Sequence, residues 1–232
     1  MTNKIKYGVI GTGVMGREHI ENINIIENAE VVAICDTNEN SRNQTKSLVK
    51  DSTKFYNDLN ELISNNIADA YIIATPNFTH LNILERILKT NKHLLIEKPL
   101  CTTTEDCKKF ELMSKNYSKI IWTGMEYRYM PPVQQLIKEV HNNVIGKIKM
   151  LSIREHRFPF LHKVDDWNRF AVNTGGTLVE KCCHFFDLMR LVIQSEPTQV
   201  YASGNQDVNH LEEKYDGKTP DIIDNAFVIV DF

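Results

Sequence analysis

Residues 6–16 read KYGVIGTGVMG, and their order decides the fold. A short apolar run ends on Gly11, Gly13 and Gly16 in G-x-G-x-x-G spacing, and residues 14–27 then carry helical periodicity. In such a turn Gly11 allows the tight bend and Gly13 lets the backbone approach a pyrophosphate. Gly16 lets helix and strand pack closely, and the helix N-terminus offers free N–H groups to the phosphates. Thr12, Val14 and Met15 complete the loop. EVVAICD (30–36) reads as a second strand ending on Asp36, 20 residues past Gly16. A carboxylate there accepts hydrogen bonds from the adenosine ribose hydroxyls. The bland alternative is a structural glycine turn with a helix-capping Asp36; the strand–turn–helix context favours the dinucleotide. Asp36 selects NAD over NADP, because a carboxylate repels a 2′-phosphate. Arg42 reads as a solvated helix charge more than as a phosphate partner.

Outward from this turn, strands and helices alternate. Strands are expected at 54–56, 69–75 (DAYIIAT), 93–97 and 119–124, with helices at 39–49, 58–65, 78–90 and 104–116. DAYIIAT is apolar throughout, as a strand covered on both faces should be. This alternation predicts a parallel, doubly wound Rossmann sheet whose strand carboxyl ends share one edge, the edge where ligands bind. LLIEKPLC (94–101) ends there on Glu97, Lys98 and Pro99. Buried charges are costly unless paired or used. A partly desolvated lysine beside a cationic nicotinamide loses its proton readily and can shuttle one to or from a substrate hydroxyl, with Glu97 holding the ammonium. A surface ion pair at a strand end is the competing reading.

The pattern changes near residue 125. A helix opens at Pro131–Pro132 and runs over 132–143; residues 147–157 (KIKMLSIREHR) read as a longer strand, and 158–174 as a loop. GGTLVEKCCHFFDLMRLVI (175–193) reads as a glycine pair and a helix, and 198–205 and 225–232 as strands. The expectation is two domains: an NAD(P)-binding domain over 1–124, and an α+β domain over 125–232 with an open, mostly antiparallel sheet for substrate binding and oligomerisation. The apolar strand at Phe232 leaves that sheet looking incomplete at its C-terminal side. Glu180 and His184 are four apart, so one helix face would carry both. A histidine paired with a carboxylate suits acid–base work; a capped helix with a core histidine is the alternative. Adjacent Cys182, Cys183 and His184 lack metal-ligand spacing, so no metal is expected. Arg154 and His156 share one face of the 147–157 strand and are candidates for substrate contact, as equally for an interface; the FPF stretch (158–160) reads as packing, with a pocket wall as the alternative.

Composition narrows the classes. The net charge of −3 shows no basic cluster, so neither nucleic acid nor a membrane surface is an expected partner. No run approaches a membrane span, and the N-terminus has no signal-peptide character. Five irregularly spaced cysteines read as reduced thiols of a cytoplasmic protein, which makes the sequons at Asn43, Asn77 and Asn116 chance matches.

GTGVMG, ATPNFTH (74–80), EKPL (97–100), EYRYMPP (126–132) and GGTLVEKCCHFFDL (175–188) together resemble the glucose–fructose oxidoreductase / inositol dehydrogenase / MocA-type family of NAD(P)-dependent oxidoreductases, over essentially the whole chain. The resemblance implies a Rossmann domain followed by an open sheet that builds a substrate pocket and a dimer or tetramer interface. It implies oxidation of a hydroxyl of a sugar, cyclitol or related polyol. By resemblance Lys98 is the EKP lysine, with a Lys–Pro peptide that is often cis. Thr75, Pro76, Asn77 and His80 line the nicotinamide side, with Glu97 beside them. Tyr127 and Arg128 match the segment linking the domains, His184 the catalytic histidine, and Trp167 and Arg169 a Trp-Arg element. Glu180 stands where the family often has Asp and Cys182 where it has Gly, while Asn168 is inserted in the Trp-Arg element. Glu180 then orients His184, binds a substrate hydroxyl, or pairs with Lys181. The expected reaction has His184 or Lys98 removing the hydroxyl proton as hydride leaves for NAD. Redox-assisted glycoside cleavage and a non-catalytic dinucleotide-binding sensor or subunit stand as the alternatives.

Overall fold

The apolar runs of the N-terminal half form strands, and the stretches between them form helices, three of which start on side-chain caps; the computed structural model describes residues 4–232. In chain order these are β1 (Ile5–Ile10), α1 (Val14–Asn24), β2 (Ala29–Cys35), α2 (Glu39–Thr45), β3 (Lys54–Tyr56), α3 (Leu59–Asn65), β4 (Ala70–Ile73), α4 (His80–Ile87), β5 (His93–Ile96), α5 (Thr104–Ser114) and β6 (Ile121–Thr123). Caps fix the helix starts. Asn38 accepts from Ser41 N–H, Asp58 from the N–H groups of Asn60 and Glu61, and Thr103 from Asp106 N–H. Asn66 stops α3 by adopting the left-handed conformation, which asparagine tolerates.

The six strands are parallel in the order β3-β2-β1-β4-β5-β6. Successive strand residues face opposite sides. Val9, Ile34 and Ile72 pack with Ile20 and Ile23 of α1 on one face. Ile10, Ile73 and Ile96 pack with Leu62, Leu84, Ile87 and Phe110 on the other. Both faces are therefore covered, which is why DAYIIAT shows no alternation. Truncating fully buried Ile73 to Ala should cost roughly 2–5 kcal/mol.

Register makes the ligand edge. Ile10 lies beside Ile73, and Ile73 beside Ile96. Gly11, Ala74 and Glu97 therefore leave the sheet together, tied by Ala74 N–H to Ile10 O and Glu97 N–H to Ile73 O, both 2.8 Å. The strand order reverses between β1 and β4, the switch point at which such sheets open a crevice.

Chain contacts separate a second unit, Met125–Phe232, from the first, Met1–Gly124. It holds α6 (Pro131–His141), α7 (Ala171–Thr174), α8 (Thr177–Glu180), α9 (Cys183–Ile193), β7 (Gln199–Asn205) and β8 (Asn225–Asp231). Strands β7 and β8 pair antiparallel, with Gln199 opposite Asp231 and Asn205 opposite Asn225. Three expectations fail here, and one is the loop over 158–174, whose end forms α7. Among the described residues no strand forms over 147–157, and the segment joins neither edge of the β7–β8 pair. The helix expected over 175–193 breaks at Lys181–Cys182, and its hydrogen bonding restarts from Cys182 O. Two adjacent cysteines, poor helix formers, stand at that break.

Candidate functional site

The glycine turn is built as its spacing requires. Gly11 has φ +87°, and a Cβ there would lie 2.6 Å from Ala74 O. A Cβ at Gly16 would lie 2.0 Å from Gly11 O, whereas one at Gly13 would meet nothing within 4 Å. The open side of the turn is thus at Gly13, the N-cap of α1, where no side chain caps the helix. Val14 is exposed there, and Met15 half-buried. Buried Thr12 points the other way: its N–H and hydroxyl both donate to Asp36 Oδ2, at 2.7 and 3.0 Å. Asp36 Oδ1 accepts from Asn38 N–H at 2.8 Å, which leaves the carboxylate one of about four acceptor positions for a ligand. Arg42 donates to Asp36 O at 2.5 Å, so its guanidinium is held against the strand end. A positive-φ glycine, an open uncapped helix start and a fixed carboxylate are what the adenine-ribose and pyrophosphate of a dinucleotide need, and the turn fits that group.

The β4 and β5 ends are locked together by His80. This fully buried ring faces Thr75 O from Nε2 at 3.0 Å, and Pro99 O and Leu100 O from Nδ1 at 3.0 and 3.3 Å. Burial pulls its protonation below the ordinary range, against the opposing pull of the three carbonyls. The Thr79 hydroxyl donates to Pro76 O at 2.7 Å and lies 2.7 Å from the Thr75 hydroxyl, which can donate to it, and these contacts set the loop around Pro76 and buried Asn77. Glu97 is buried at 8% exposure, and its Oε1 meets His19 Nε2 at 2.6 Å. Burial pushes its carboxyl up, but the His19 hydrogen bond, the facing charges and the Lys98 N–H outweigh this and hold it below the usual range. Lys98 is half-buried on the same loop, and the Lys98–Pro99 peptide is cis. The structure thus brings together Gly11, Thr75, Pro76, Asn77, His80, Glu97 and Lys98. Sequence reasoning missed His19. Its position three after Gly16, flanking buried Gly16, Ile20 and Ile23 on α1, was the available signal.

The second unit gathers a different set. The Tyr127 ring stacks on His184 at 4.1 Å with 8° between planes, and buried His184 sets Nε2 3.3 Å from Glu126 Oε1. Glu126 lay inside a recognised motif, but its charge received no role from sequence. Arg128 forms a two-pronged ion pair with Asp187 of α9, Nε to Oδ2 at 2.5 Å, and that pair raises the guanidinium pKa further. Buried Glu180 pairs with Lys181 at 3.2 Å, and the Lys181 ammonium lies 4.8 Å above the Phe160 ring.

Arg154 and His156 line a crevice of about 1750 Å³ in this unit, together with Arg157, Phe160, Lys181 and His210. Arg169 and Trp167 lie elsewhere. Arg169 is 1% exposed, and its Nε meets Glu213 Oε2 at 2.8 Å. The Glu213 carboxyl is pushed up by partial burial but drawn down to about 2 by His210, Tyr215 and Arg169. Trp167 O accepts from Asn173 at 2.9 Å. Among the described residues no cluster of three metal-ligating side chains is present, and no helix is long and apolar enough to cross a membrane.

Comparison with known proteins bears on both units. Residues 5–125 match the Gfo/Idh/MocA model described as an oxidoreductase family with an NAD-binding Rossmann fold, and residues 137–232 match that family's C-terminal alpha/beta domain. Myo-inositol 2-dehydrogenase of Thermotoga maritima is 30% identical over 98% of this chain and 65% of its own length. Glucose-6-phosphate 3-dehydrogenase of Bacillus subtilis is 30% identical over 90% of this chain and 60% of its own. A probable dehydrogenase structure from Thermotoga maritima superposes with TM-score 0.78 at 29% identity, covering 97% of this chain and 65% of that one. The chain spans about 65% or less of the length of these relatives.

Proposed function

Since the chain belongs to the Gfo/Idh/MocA oxidoreductase family, with the NAD-binding Rossmann fold over residues 5–125, we propose that it serves an NAD-dependent dehydrogenase that oxidises a hydroxyl of a sugar, a cyclitol or a related polyol. The observation that carries this reading is the ligand edge of the first unit. There an open glycine turn, a fixed Asp36 and the Lys98 loop leave adjacent strands together. The activities named for the relatives supply the substrate class.

Bound NAD would supply the acceptor for a hydride. The chain's own residues do the rest. Gly11, Gly13 and Gly16 admit the pyrophosphate, and Asp36 holds the ribose with a preference for NAD over NADP. Thr75, Pro76, Asn77 and His80 fix the loop on the nicotinamide side. Lys98 receives the proton of the reacting hydroxyl, and the ammonium so formed stabilises the alkoxide until the C–H hydride leaves and the carbonyl forms. His184 is the second acid–base group; Tyr127 fixes its ring plane, and Glu126 Oε1 lies 3.3 Å from its Nε2. Glu180, with Lys181, and the crevice residues Arg154 and His156 serve substrate hydroxyls; Tyr127 and Arg128 hold the segment that presents His184. Trp167 and Arg169 act at a distance by bracing this unit. Assembly as a homodimer or homotetramer through the exposed β7–β8 pair belongs to the same proposal, and light scattering tests it.

The test is calorimetric titration with NAD and with NADP, followed by an absorbance screen over inositols, aldoses and their glycosides. Binding of NAD with a polyol-dependent rise in reduced cofactor supports the reading. Binding without a rise on any polyol favours a sensor or subunit, and glycoside turnover without net reduction favours redox-assisted cleavage. Failure to bind either dinucleotide overturns it.

A further inference from the structure

The three contacts of the His80 ring are all of one kind. The ring is fully buried at the first residue of α4. Its Nε2 lies 3.0 Å from Thr75 O, and its Nδ1 lies 3.0 Å from Pro99 O and 3.3 Å from Leu100 O. A backbone carbonyl oxygen only accepts, so every one of these contacts needs the ring to donate. A neutral imidazole carries one N–H, and only the imidazolium carries two. With a single proton, a ring lone pair faces a carbonyl oxygen at 3.0 Å on one side, and that contact is repulsive. The two sides belong to different loops: Thr75 follows β4, whereas Pro99 and Leu100 follow β5 and come directly after Lys98.

We propose that His80 is a protonation-dependent latch of the ligand edge: with two protons its ring ties the Thr75 loop to the Pro99–Leu100 loop, and with one it holds a single side and releases the other. Its consequence for NAD rests on the dehydrogenase reading; the latch itself is read in the free chain.

Opposed forces set where the latch closes. Burial disfavours the second proton. The three carbonyls favour it, and so does the charge of Glu97 at the end of β5, which His19 of α1 also engages. Burial prevails, so the ring takes its second proton below the ordinary histidine range. Near neutral pH one loop is therefore tied, and toward acid both are. The unfolded chain takes up that proton more readily than the folded one, so the acid that closes the latch also lowers global stability, and affinities need correction for the fraction folded. A closed latch orders Thr75 and the backbone beside Lys98 before a ligand arrives, which leaves less entropy to lose on binding.

Isotopic labelling of histidine ring nitrogens counts the ring protons by nuclear magnetic resonance, and the His80 signals are those of the eight histidines that His80→Gln removes. The free chain is followed from about pH 8 to about pH 4.5, around the ordinary histidine value of about 6.5. The expected result is one ring N–H near neutral pH and two in acid, with the midpoint below that value. The carbonyl facing the nitrogen that gains the proton should shift at the same midpoint. Pro99–Leu100 is the chain's single Pro-Leu step and Leu100–Cys101 its single Leu-Cys step, so pairwise labelling reads those carbonyls in the wild type even where His80→Gln fails to fold. Thr75 is read in the same way at its Thr-Pro step. Calorimetric affinity for NAD should tighten roughly threefold to tenfold across the midpoint relative to His80→Gln, whose side chain does not titrate. A ring that keeps one proton throughout, or two throughout, overturns the latch. So does a ring that titrates while no carbonyl of Thr75, Pro99 or Leu100 moves. Equal pH dependence of NAD affinity in wild type and His80→Gln overturns its hold on the ligand edge. Failure to bind NAD at any pH rejects the dehydrogenase reading instead, and the ring and carbonyl shifts of the free chain still decide the latch.

Discussion

The His19–Glu97 pair offers the sharpest test of how the ligand edge is held. Both side chains are mostly buried, with 20% and 10% exposure, and their atoms meet at 2.6 Å, so solvent screening is small. A hydrogen bond to an ionised group contributes about 1.5–3 kcal/mol and a neutral one about 1. Glu97→Gln keeps the shape and loses the charge, so it should cost roughly 1–2 kcal/mol, and a double-mutant cycle with His19→Ala should return a coupling of about the same size. The sign with pH is fixed by the lowered carboxyl. A carboxyl depressed in the folded state adds stability that is fully present above the ordinary carboxylate range and lost as pH falls through the folded value. The Glu97 contribution to the difference between wild type and Glu97→Gln should shrink as pH falls below about 4. Each compact unit holds one tryptophan, Trp122 and Trp167. In a Trp167→Phe background, Trp122 fluorescence during urea unfolding reports on the first unit alone. A coupling under about 0.5 kcal/mol, or a wild-type advantage that does not fall off below about pH 4, would refute the His19–Glu97 hydrogen bond as the brace of the Lys98 loop.

Other outcomes follow from the same geometry. Asp36→Asn should weaken NAD binding about 10- to 100-fold and narrow the preference against NADP, read by calorimetry; unchanged affinity would remove Asp36 from the ribose site. Lys98→Ala should lower turnover at least about 100-fold while the NAD dissociation constant moves less than about threefold, and turnover within threefold of wild type would mean Lys98 is not the proton carrier. Arg169→Met strips the buried partner from Glu213 and should destabilise the second unit by roughly 2–3 kcal/mol, followed by Trp167 fluorescence in a Trp122→Phe background. Because the Glu213 carboxyl is depressed to about 2, its contribution should be complete at neutral pH and fade as acid approaches that value.

The first unit was legible because each of its signals is local. Apolar runs such as Tyr71–Ile73 and Leu94–Ile96 mark strands, and Gly11-x-Gly13-x-x-Gly16 marks the turn between a strand and a helix. What stayed hidden is long-range pairing. His19 and Glu97 lie 78 residues apart and Arg169 and Glu213 lie 44 apart, so no spacing rule joins them. The same limit misread 147–157. Alternation states which residues share a face, but a strand exists only where a neighbour supplies its ladder. The stretch around 180–184 was misread differently: periodicity gave one continuous helix, and this one breaks at Lys181–Cys182.

The placement of buried polar groups argues for what the ligand edge is for. Away from that edge the first unit's interior is mostly apolar, and its buried polar side chains there are the hydroxyls of Ser41, Thr45 and Thr53. Thr12, Asn77, His80 and Glu97, four of its buried polar side chains, follow the ends of β1, β4 and β5. Each such group costs desolvation unless it is bonded, and aliphatic packing of the same volume would often be as stable. The bonds they make do one thing: Thr12 fixes Asp36, His80 ties Thr75 to Pro99 and Leu100, and His19 ties Glu97 beside Lys98 to α1. Stability alone gives no reason to concentrate this cost at one sheet edge. A ligand does, because loops held rigid before binding lose less entropy when it arrives, and a reacting group held in place keeps its geometry. If the argument is right, His80→Leu should weaken NAD binding more than Ile87→Val, a core change chosen for its small stability cost, even after both affinities are corrected for the fraction folded. Equal affinities after that correction would mean that His80 serves the fold and not the ligand.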